Sequence, residues 1–303
     1  MGRFLSIADL RHLPPPKWLI QGLFEVGSLV MVVGPQSSFK SFLALDWSLC
    51  LASGRSWNGQ RVVKSNVIYA LGEGKGNLLK RIKAWNRHNE PVPDEAFRAC
   101  FEVPQLATKE DVDRFLRDIK REELNPDVIV IDTLARSFVG KDENGPTDPG
   151  LWIESADRLR HLGLTVIVLH HTSKSTEFGL KYRGSTAFMG AMDTAFTLRR
   201  DGEFIEVTCS KQKDYDEGPP FYMKRVLVPE ENSMVLLPID KDEVDAAKQE
   251  EAHVEEELDS RIQQLLQDES YASDRARARD LALQANKPES WAQSKVKRAR
   301  DKT

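Results

Sequence analysis

Cysteine is scarce in this sequence: the 303 residues contain three, Cys50, Cys100 and Cys209. They are far apart and form no Cys-x-x-Cys pair, which argues against a zinc ribbon or a disulfide framework. Cys50 and Cys209 stand in apolar segments, where a free cysteine commonly serves as a small core residue.

Long apolar runs are also missing. The longest, such as residues 29–33 and 166–169, are far shorter than the about 20 residues that a membrane-spanning helix needs. The N-terminus is charged and lacks the apolar centre of a signal peptide. We therefore expect a cytoplasmic protein with no membrane partner.

The chain carries no excess of basic charge, since its formal net charge is −4. A uniformly basic coat for nucleic acid is thereby excluded, although a local basic surface is not. The length suffices for an α/β core of roughly 230 residues with a small additional module.

Strand-like and helix-like segments alternate through most of the chain. Apolar, β-branched runs such as residues 128–131 are typical of strands buried on both faces. The alternation predicts a mostly parallel sheet covered by helices. Residues 204–210 and 224–237 alternate with period two and predict a terminal antiparallel pair, preceded by a hairpin turn at Asp201-Gly202.

The composition changes sharply after Pro238. Residues 240–259 contain ten acidic side chains and two lysines, whereas residues 275–302 contain nine basic side chains and three acidic ones. We predict an α/β core domain over 1–238, an acidic helical linker over 239–260 and a small basic helical module over 261–303.

One segment matches the phosphate-binding loop G-x-x-x-x-G-K-[ST] with a single departure. Its residues are Gly34, Pro35, Gln36, Ser37, Ser38, Phe39, Lys40 and Ser41. In such a loop backbone N–H groups and a helix N-terminus bind phosphate, the lysine reaches the β- and γ-phosphates, and the serine hydroxyl binds Mg²⁺. Phe39 stands where the pattern has its second glycine. A serine-rich turn before an ordinary helix is the alternative for this segment taken alone.

Polar side chains at three other strand ends suit the same site. Asp132 follows the run 128–131, where a carboxylate binds Mg²⁺ directly or through water. Glu73 follows the strand 67–71 and can polarise an attacking water. His171 ends another strand and can sense the terminal phosphate. A strand-end cap is the alternative for Asp132 and a turn residue for Glu73. For His171 the alternative is a metal site shared with His170, against which the lack of a third ligand at suitable spacing argues. Parallel strands bring all three side chains to one sheet edge, which predicts an ATP and Mg²⁺ site there.

The order of these motifs resembles the RepA-type hexameric replicative helicases, which are P-loop ATPases of the RecA/DnaB-like class. The resemblance covers about residues 13–237. Its segments are Trp18-Leu19-Ile20, the phosphate loop, Gly72-Glu73-Gly74, Ile131-Asp132-Thr133-Leu134-Ala135-Arg136, His170-His171 and Arg183-Gly184-Ser185. The resemblance implies a RecA-like fold, a hexameric ring with ATP between subunits, single-stranded DNA in the central channel and other replication proteins as partners.

The resemblance also implies roles for individual side chains. Lys40, Ser41, Glu73, Asp132 and His171 would act within one subunit. A neighbouring subunit would add a positive charge, as an arginine finger does. Lys211 and Lys213 stand where the wider class has a Lys-x-Arg pair, and Arg183 is the competing candidate. A solvated hairpin end is the alternative for the two lysines.

Two regions are candidates for DNA contact. The loop 173–182 corresponds to a DNA-contacting loop of RecA-like proteins and contains Lys174, Lys181 and Tyr182 for phosphate contact and base stacking. A flexible surface loop is the alternative there.

The C-terminal module resembles a helix-turn-helix. Ser273 is predicted to cap a first helix, and Ser290 a second one with Gln293 completing a capping box. The second helix would present Lys295, Lys297 and Arg298 to DNA. A charged helical tail that serves packing or solubility is the alternative.

Three functions remain open on the sequence. The first, which we favour, is a ring-forming, ATP-hydrolysing DNA helicase or translocase that acts on single-stranded DNA in replication. The second is a RecA-like DNA-dependent ATPase in recombination or regulation without unwinding. The third is a nucleotide-dependent assembly protein with weak turnover because of Phe39, against which Glu73 and Asp132 argue.

Overall fold

The computed structural model describes residues 4–143, 145, 147–171, 186–268, 270–285 and 287–301. The chain forms two compact units, Met1–Ile239 and Asp240–Thr303. Within the described ranges, the first unit contains a nine-stranded sheet and the second contains three helices.

The first unit alternates strands with helices along most of its length. Its strands are β1 (Trp18–Ile20), β2 (Phe24–Glu25), β3 (Leu29–Gly34), β4 (Val67–Leu71), β5 (Phe97–Cys100), β6 (Val128–Asp132), β7 (Thr165–His171), β8 (Thr194–Asp201), β9 (Phe204–Gln212), β10 (Phe221–Val228) and β11 (Ser233–Ile239). Its helices are α1 (Ile7–Leu10), α2 (Lys40–Ser53), α3 (Lys75–Asn86), α4 (Lys109–Arg121), α5 (Asp148–His161) and α6 (Thr186–Ala191). Two short 3-10 helices cover Leu134–Ser137 and Pro229–Glu231.

The nine strands of the large sheet lie in the order β11-β10-β9-β8-β3-β7-β6-β4-β5. Strands β3 to β8 pair in parallel, and β9, β10 and β11 add antiparallel pairings at one side. The predicted α/β class, a mostly parallel sheet covered by helices, is confirmed. Strands β1 and β2 form a separate two-stranded ribbon.

The central strands are apolar throughout because helices cover both of their faces. In β3, Val30 and Val32 face the core that α2 and α3 share, whereas Met31 and Val33 face the core under α4 and α5. The sequence of a strand covered in this way is an unbroken hydrophobic run and does not alternate between apolar and polar residues.

One predicted strand is divided in the structure. Residues 224–237 were expected to form a single strand, but the 3-10 helix Pro229–Glu231 separates β10 from β11. Asn232 closes this turn in the left-handed region, with φ at 48°. Proline cannot continue the hydrogen-bond ladder, and the chain therefore reverses there into a hairpin.

The second unit is built from α7 (Lys241–Gln267), α8 (Asp274–Gln284) and α9 (Glu289–Arg300). Its small core contains side chains of all three helices, namely Ile262, Leu265, Ala278, Leu281, Ala282, Ala292 and Val296. The predicted limit between linker and module at residue 260 falls inside α7, which continues without interruption.

The predicted cap of α8 is present and that of α9 is not. Ser273 Oγ accepts a hydrogen bond from the Ala276 N–H at 3.3 Å. Helix α9 instead begins at Glu289 after Pro288, and Ser290 lies inside its first turn. Pro288 has an extended ψ of 143° and takes the N-cap position, so the predicted box between Ser290 and Gln293 is wrong.

No helix within the described ranges is both long enough and apolar enough to cross a bilayer.

A partly buried carboxylate connects α2 to two neighbouring segments. Asp46 accepts a hydrogen bond of 2.7 Å from the indole N–H of Trp57 and another of 2.7 Å from that of Trp85. Burial raises the pKa of Asp46 to about 6, although the two indoles and Arg55 oppose the shift.

This carboxylate should make the stability of the chain depend on pH. Between its ordinary pKa of 3.8 and about 6, the folded chain retains a proton at Asp46 that the unfolded chain has released. The free energy of unfolding should therefore fall as the pH rises through this window, and Asp46→Asn should flatten that dependence. Chemical denaturation of both proteins across the window measures it. Equal slopes for the two proteins would show that Asp46 does not titrate there.

Candidate functional site

The carboxyl ends of four adjacent parallel strands meet at one edge of the sheet. Gly34 of β3 pairs in register with His171 of β7, and Leu71 of β4 pairs with Asp132 of β6. Because β7 lies between β3 and β6, this edge brings the phosphate loop, His171, Asp132 and the Glu73 turn together.

The loop between β3 and α2 contains two residues in the left-handed region. Ser37 has a φ of 65° and Phe39 a φ of 67°. Phe39 is the N-cap of α2, and its carbonyl accepts hydrogen bonds from the N–H groups of Phe42 and Leu43 at 3.0 and 3.1 Å. The phenylalanine thus adopts the backbone conformation for which glycine is the usual choice.

Gly34 leaves no room for a side chain where β3 enters the loop. A Cβ at this position would lie 2.7 Å from Ser38 Oγ and 3.0 Å from the Leu198 carbonyl oxygen of β8. The first glycine of the pattern is therefore required by packing.

The amine of Lys40 lies within the loop. Its Nζ donates to the carbonyls of Gly34 at 2.9 Å and Pro35 at 2.7 Å, and lies 3.4 Å from Ser38 Oγ. Burial lowers the pKa of this amine to about 8, and the charge of Asp132 opposes the shift. A bound anion would stabilise the charged amine, so the site favours a phosphate over a neutral ligand.

Asp132 lies buried beside two hydroxyl groups. The hydroxyl of Ser41 donates to its carboxylate, and Tyr69 Oη donates to Asp132 Oδ2 at 3.0 Å. Burial raises the pKa of Asp132, whereas both hydrogen bonds and the charges of Arg81 and Lys40 lower it. A carboxylate adjacent to a serine hydroxyl is a pair of hard oxygen donors and fits Mg²⁺.

Tyr69 is a site residue that the sequence pattern does not indicate. It stands in the middle of β4, where an aromatic side chain is expected in the core. Its hydroxyl oxygen also lies 3.2 Å from the Ser41 carbonyl oxygen, and burial raises its pKa well above the ordinary value. Tyr69 and Leu71 are two positions apart on β4, so both side chains lie on the face that packs against α2. This spacing is the feature of the sequence from which the position of Tyr69 could have been predicted.

Glu73 forms an ion pair with Arg136 just beyond the strand ends. Its Oε1 accepts from Arg136 Nε at 2.9 Å and from Nη2 at 2.5 Å. Gly72 permits this approach, because a Cβ there would lie 2.8 Å from Arg136 Cγ. Both side chains are more than half exposed, so the pair orients the carboxylate more than it stabilises the fold.

Lys211 and Lys213 lie toward the other edge of the sheet. Strand β9 runs antiparallel to β8, and Lys211 is opposite Ala195, which pairs in turn with Met31 near the start of β3. The chain therefore holds these lysines away from its phosphate loop.

The two lysines have different surroundings. Lys211 Nζ donates to the carbonyls of Met189 at 2.7 Å and Gly190 at 2.9 Å in the last turn of α6. Burial lowers the pKa of Lys211. Lys213 is 63% exposed, and its Nζ lies 3.5 Å from Asp193 Oδ1.

The remaining predicted residues fall into two groups. Lys174, Lys181, Tyr182 and Arg183 lie outside the described residues. In the second unit, Lys295 Nζ lies 3.4 Å from Glu255 Oε1 of α7, while Lys297 and Arg298 are exposed on α9.

Loss of the Tyr69 hydroxyl should weaken the metal site selectively. In Tyr69→Phe, Asp132 loses a donor that lowers its pKa, so Mg²⁺ binding should fail at a higher pH on acidification. The variant should also lose about 1–3 kcal/mol of stability. Mg²⁺ titration over a pH series measures the first effect. Tyr215→Phe is the matched control, because Tyr215 donates to Glu25 at the surface; equal behaviour of the two variants would refute a role for Tyr69.

Comparisons with known proteins give a family match and similar solved structures. The sequence matches the AAA domain family over residues 4–177, which is more than half of the chain and includes the phosphate loop, Glu73, Asp132 and His171. No curated protein matches it. The solved structures that match include a KaiC-like protein from the hyperthermophilic archaeon Pyrococcus horikoshii, at 15% identity and a TM-score of 0.49, covering 73% of this chain and 94% of that one. The chain belongs to the AAA domain family, whose members are P-loop ATPases.

Proposed function

We propose that this protein is a ring-forming ATPase that moves along single-stranded DNA as a helicase or translocase. The observation that carries the ATPase part of the proposal is the juxtaposition of Lys40, Ser41 and Asp132 at the sheet edge, with Glu73 held by Arg136 just beyond the end of the neighbouring strand β4. ATP and Mg²⁺ are the proposed ligands.

Binding of ATP would replace the internal contacts of Lys40. The amine would leave the carbonyls of Gly34 and Pro35 for the β- and γ-phosphates, because the charged amine gains more from an anion than from two carbonyls. The first N–H groups of α2 would bind the same phosphates. Ser41 and Asp132 would hold Mg²⁺, which neutralises phosphate charge when bound.

Hydrolysis would use the groups at the neighbouring strand ends. Glu73 would orient and polarise the attacking water, and Arg136 would keep its carboxylate at the site. His171 lies beside Gly34 in the sheet, so it could register loss of the γ-phosphate and relay it to the segment that follows β7.

A site between subunits accounts for the position of the lysines. Lys213 lies away from its own phosphate loop, and a head-to-tail ring would bring one surface of each subunit to a different surface of the next. Of the two, Lys213 is the better candidate for a charge supplied in trans, because the Lys211 amine is bound to carbonyls of α6. Arg183 remains the alternative.

The second unit supplies basic side chains suited to DNA phosphates. Lys297 and Arg298 are exposed on α9, and Arg275 and Arg279 of α8 are 75% and 70% exposed. Arg277 has a structural role instead, since it donates to the carbonyls of Leu265 and Asp268 at the end of α7. Sequence-independent phosphate contact is the interaction that such a surface supports.

The ATPase and helicase activities can be tested together. The wild-type protein should hydrolyse ATP, respond to single-stranded DNA and unwind a forked duplex. Lys40→Ala should reduce turnover by roughly 100-fold or more, because it removes the charge at the transferring phosphate. Lys80→Ala is the matched control, since Lys80 is exposed on α3.

The outcomes separate the three functions. DNA-stimulated hydrolysis without unwinding would contradict the helicase and favour a RecA-like role in recombination or regulation. Nucleotide binding without hydrolysis would favour an assembly protein with weak turnover.

The charge in trans can be tested by mixing two inactive proteins. Lys213→Ala and Lys40→Ala should each have low ATPase activity alone. A mixture should regain activity, because some interfaces then combine an intact Lys40 with an intact Lys213 from the neighbour. Lys211→Ala should lower stability rather than take part in this complementation. Activity of the mixture no higher than the sum of its components would refute the proposed role of Lys213.

A further inference from the structure

The phosphate loop departs from its pattern at Phe39, and in the structure this side chain contacts an arginine and a second aromatic ring. The Arg200 guanidinium lies 4.5 Å from the centroid of the Phe39 ring. On the other side, Phe39 meets Phe42 edge to face at 6.1 Å, and the Arg81 guanidinium covers Phe42 at 4.6 Å. The four side chains therefore form a continuous row of contacts at the start of α2.

Arg200 contacts both left-handed residues of the loop. Besides the Phe39 ring, its Nη1 donates to the carbonyl of Ser37 at 3.3 Å. Its Nε donates to the carbonyl of Gly202 at 2.9 Å in the following turn, which fixes the guanidinium on its own strand. Ser37 and Phe39 have φ values of 65° and 67°, a backbone conformation that residues other than glycine rarely adopt.

The order of the strands places Arg200 there. Strand β8 runs parallel to β3, with Thr197 opposite Val33. Arg200 lies further along β8 in the same direction, at the level where β3 has become the phosphate loop. It is exposed, so core packing does not require a side chain of this length and shape.

We infer that Arg200 is a positioning residue for phosphate binding, which holds Phe39 and Ser37 in the left-handed conformation that a second glycine would otherwise supply. With these residues fixed, the N–H groups of the loop and of the first turn of α2 face the phosphates. The inference rests on the proposed function, in that the ligand is ATP.

The experiment is a double-mutant cycle on ATP affinity, with a non-hydrolysable ATP analogue as the probe. Arg200→Ala should weaken binding by about tenfold, because the loop no longer holds its shape without ligand. Phe39→Gly should bind within about twofold of wild type, since glycine adopts the conformation freely. In the Phe39→Gly background, Arg200→Ala should change affinity less than it does in wild type, because only its hydrogen bond to the Ser37 carbonyl then remains to be lost from the loop.

Two further variants distinguish positioning from direct charge. Arg199→Ala is the matched control: Arg199 is the preceding residue, its side chain is 75% exposed, and it pairs with Glu206 on β9. It should bind the analogue as wild type does. Arg200→Lys keeps the charge but loses the planar group that covers the ring, so it should behave more like Arg200→Ala than like wild type. In steady-state hydrolysis, Arg200→Ala should raise KM with little change in kcat.

The results that overturn the inference are distinct from those that overturn the proposed function. Equal losses for Arg200→Ala in both backgrounds, or full rescue by Arg200→Lys, would mean that the guanidinium acts on the nucleotide by charge. No loss in either background would mean that Phe39 holds the loop without Arg200. If wild type itself fails to bind the analogue, the proposed function fails and the inference falls with it.

Discussion

The central strands of this fold are buried on both faces, and this constraint determines where its chemistry can lie. No charged side chain can be placed along β3, β4, β6 or β7 without losing its hydration, because helices cover the sheet on each side. Polar groups therefore begin where the strands end. Because the strands pair in parallel and in register, Gly34, His171 and Asp132 lie at the same end of the sheet, and Glu73 follows the end of β4 there.

The candidate site is also buried, and its two charged groups therefore affect each other's pKa. Lys40 and Asp132 are both buried, and each opposes the pKa shift that desolvation imposes on the other. Two hydroxyl donors, those of Ser41 and Tyr69, and the positive charge of Arg81 compensate for the lost hydration of Asp132. The carbonyls of Gly34 and Pro35 do the same for Lys40. The Lys40 amine is therefore held by acceptors and the Asp132 carboxylate by donors, which a phosphate and a divalent cation would replace in the proposed function, so both charged groups are positioned before either ligand binds.

The sequence was sufficient to predict what depends on local pattern. The strands that end in Gly34, Asp132 and His171 are recognised by their apolar runs, and the predicted alternation of strands with helices is present between them. Strand β8 was not predicted, because Thr194–Asp201 mixes apolar residues with two arginines and has no clear period. Tyr69 and Arg200 could not be assigned for a related reason. Their roles arise from contacts with residues 63 positions and more than 160 positions away along the chain, which no local pattern encodes.

The omissions of β8 and of Arg200 are connected at Phe39. A non-glycine residue in the left-handed region costs about 1–2 kcal/mol, so a sequence pattern alone makes the phosphate loop look defective. A phenylalanine, however, has a ring that glycine lacks, and that ring packs against Phe42 and under Arg200. The contact exists only because β8 lies beside β3 and ends at the level of the loop. The conformation of the loop is therefore a property of the sheet order as much as of the eight residues that compose it. A departure from a local motif can be judged only once the tertiary neighbours that compensate for it are known.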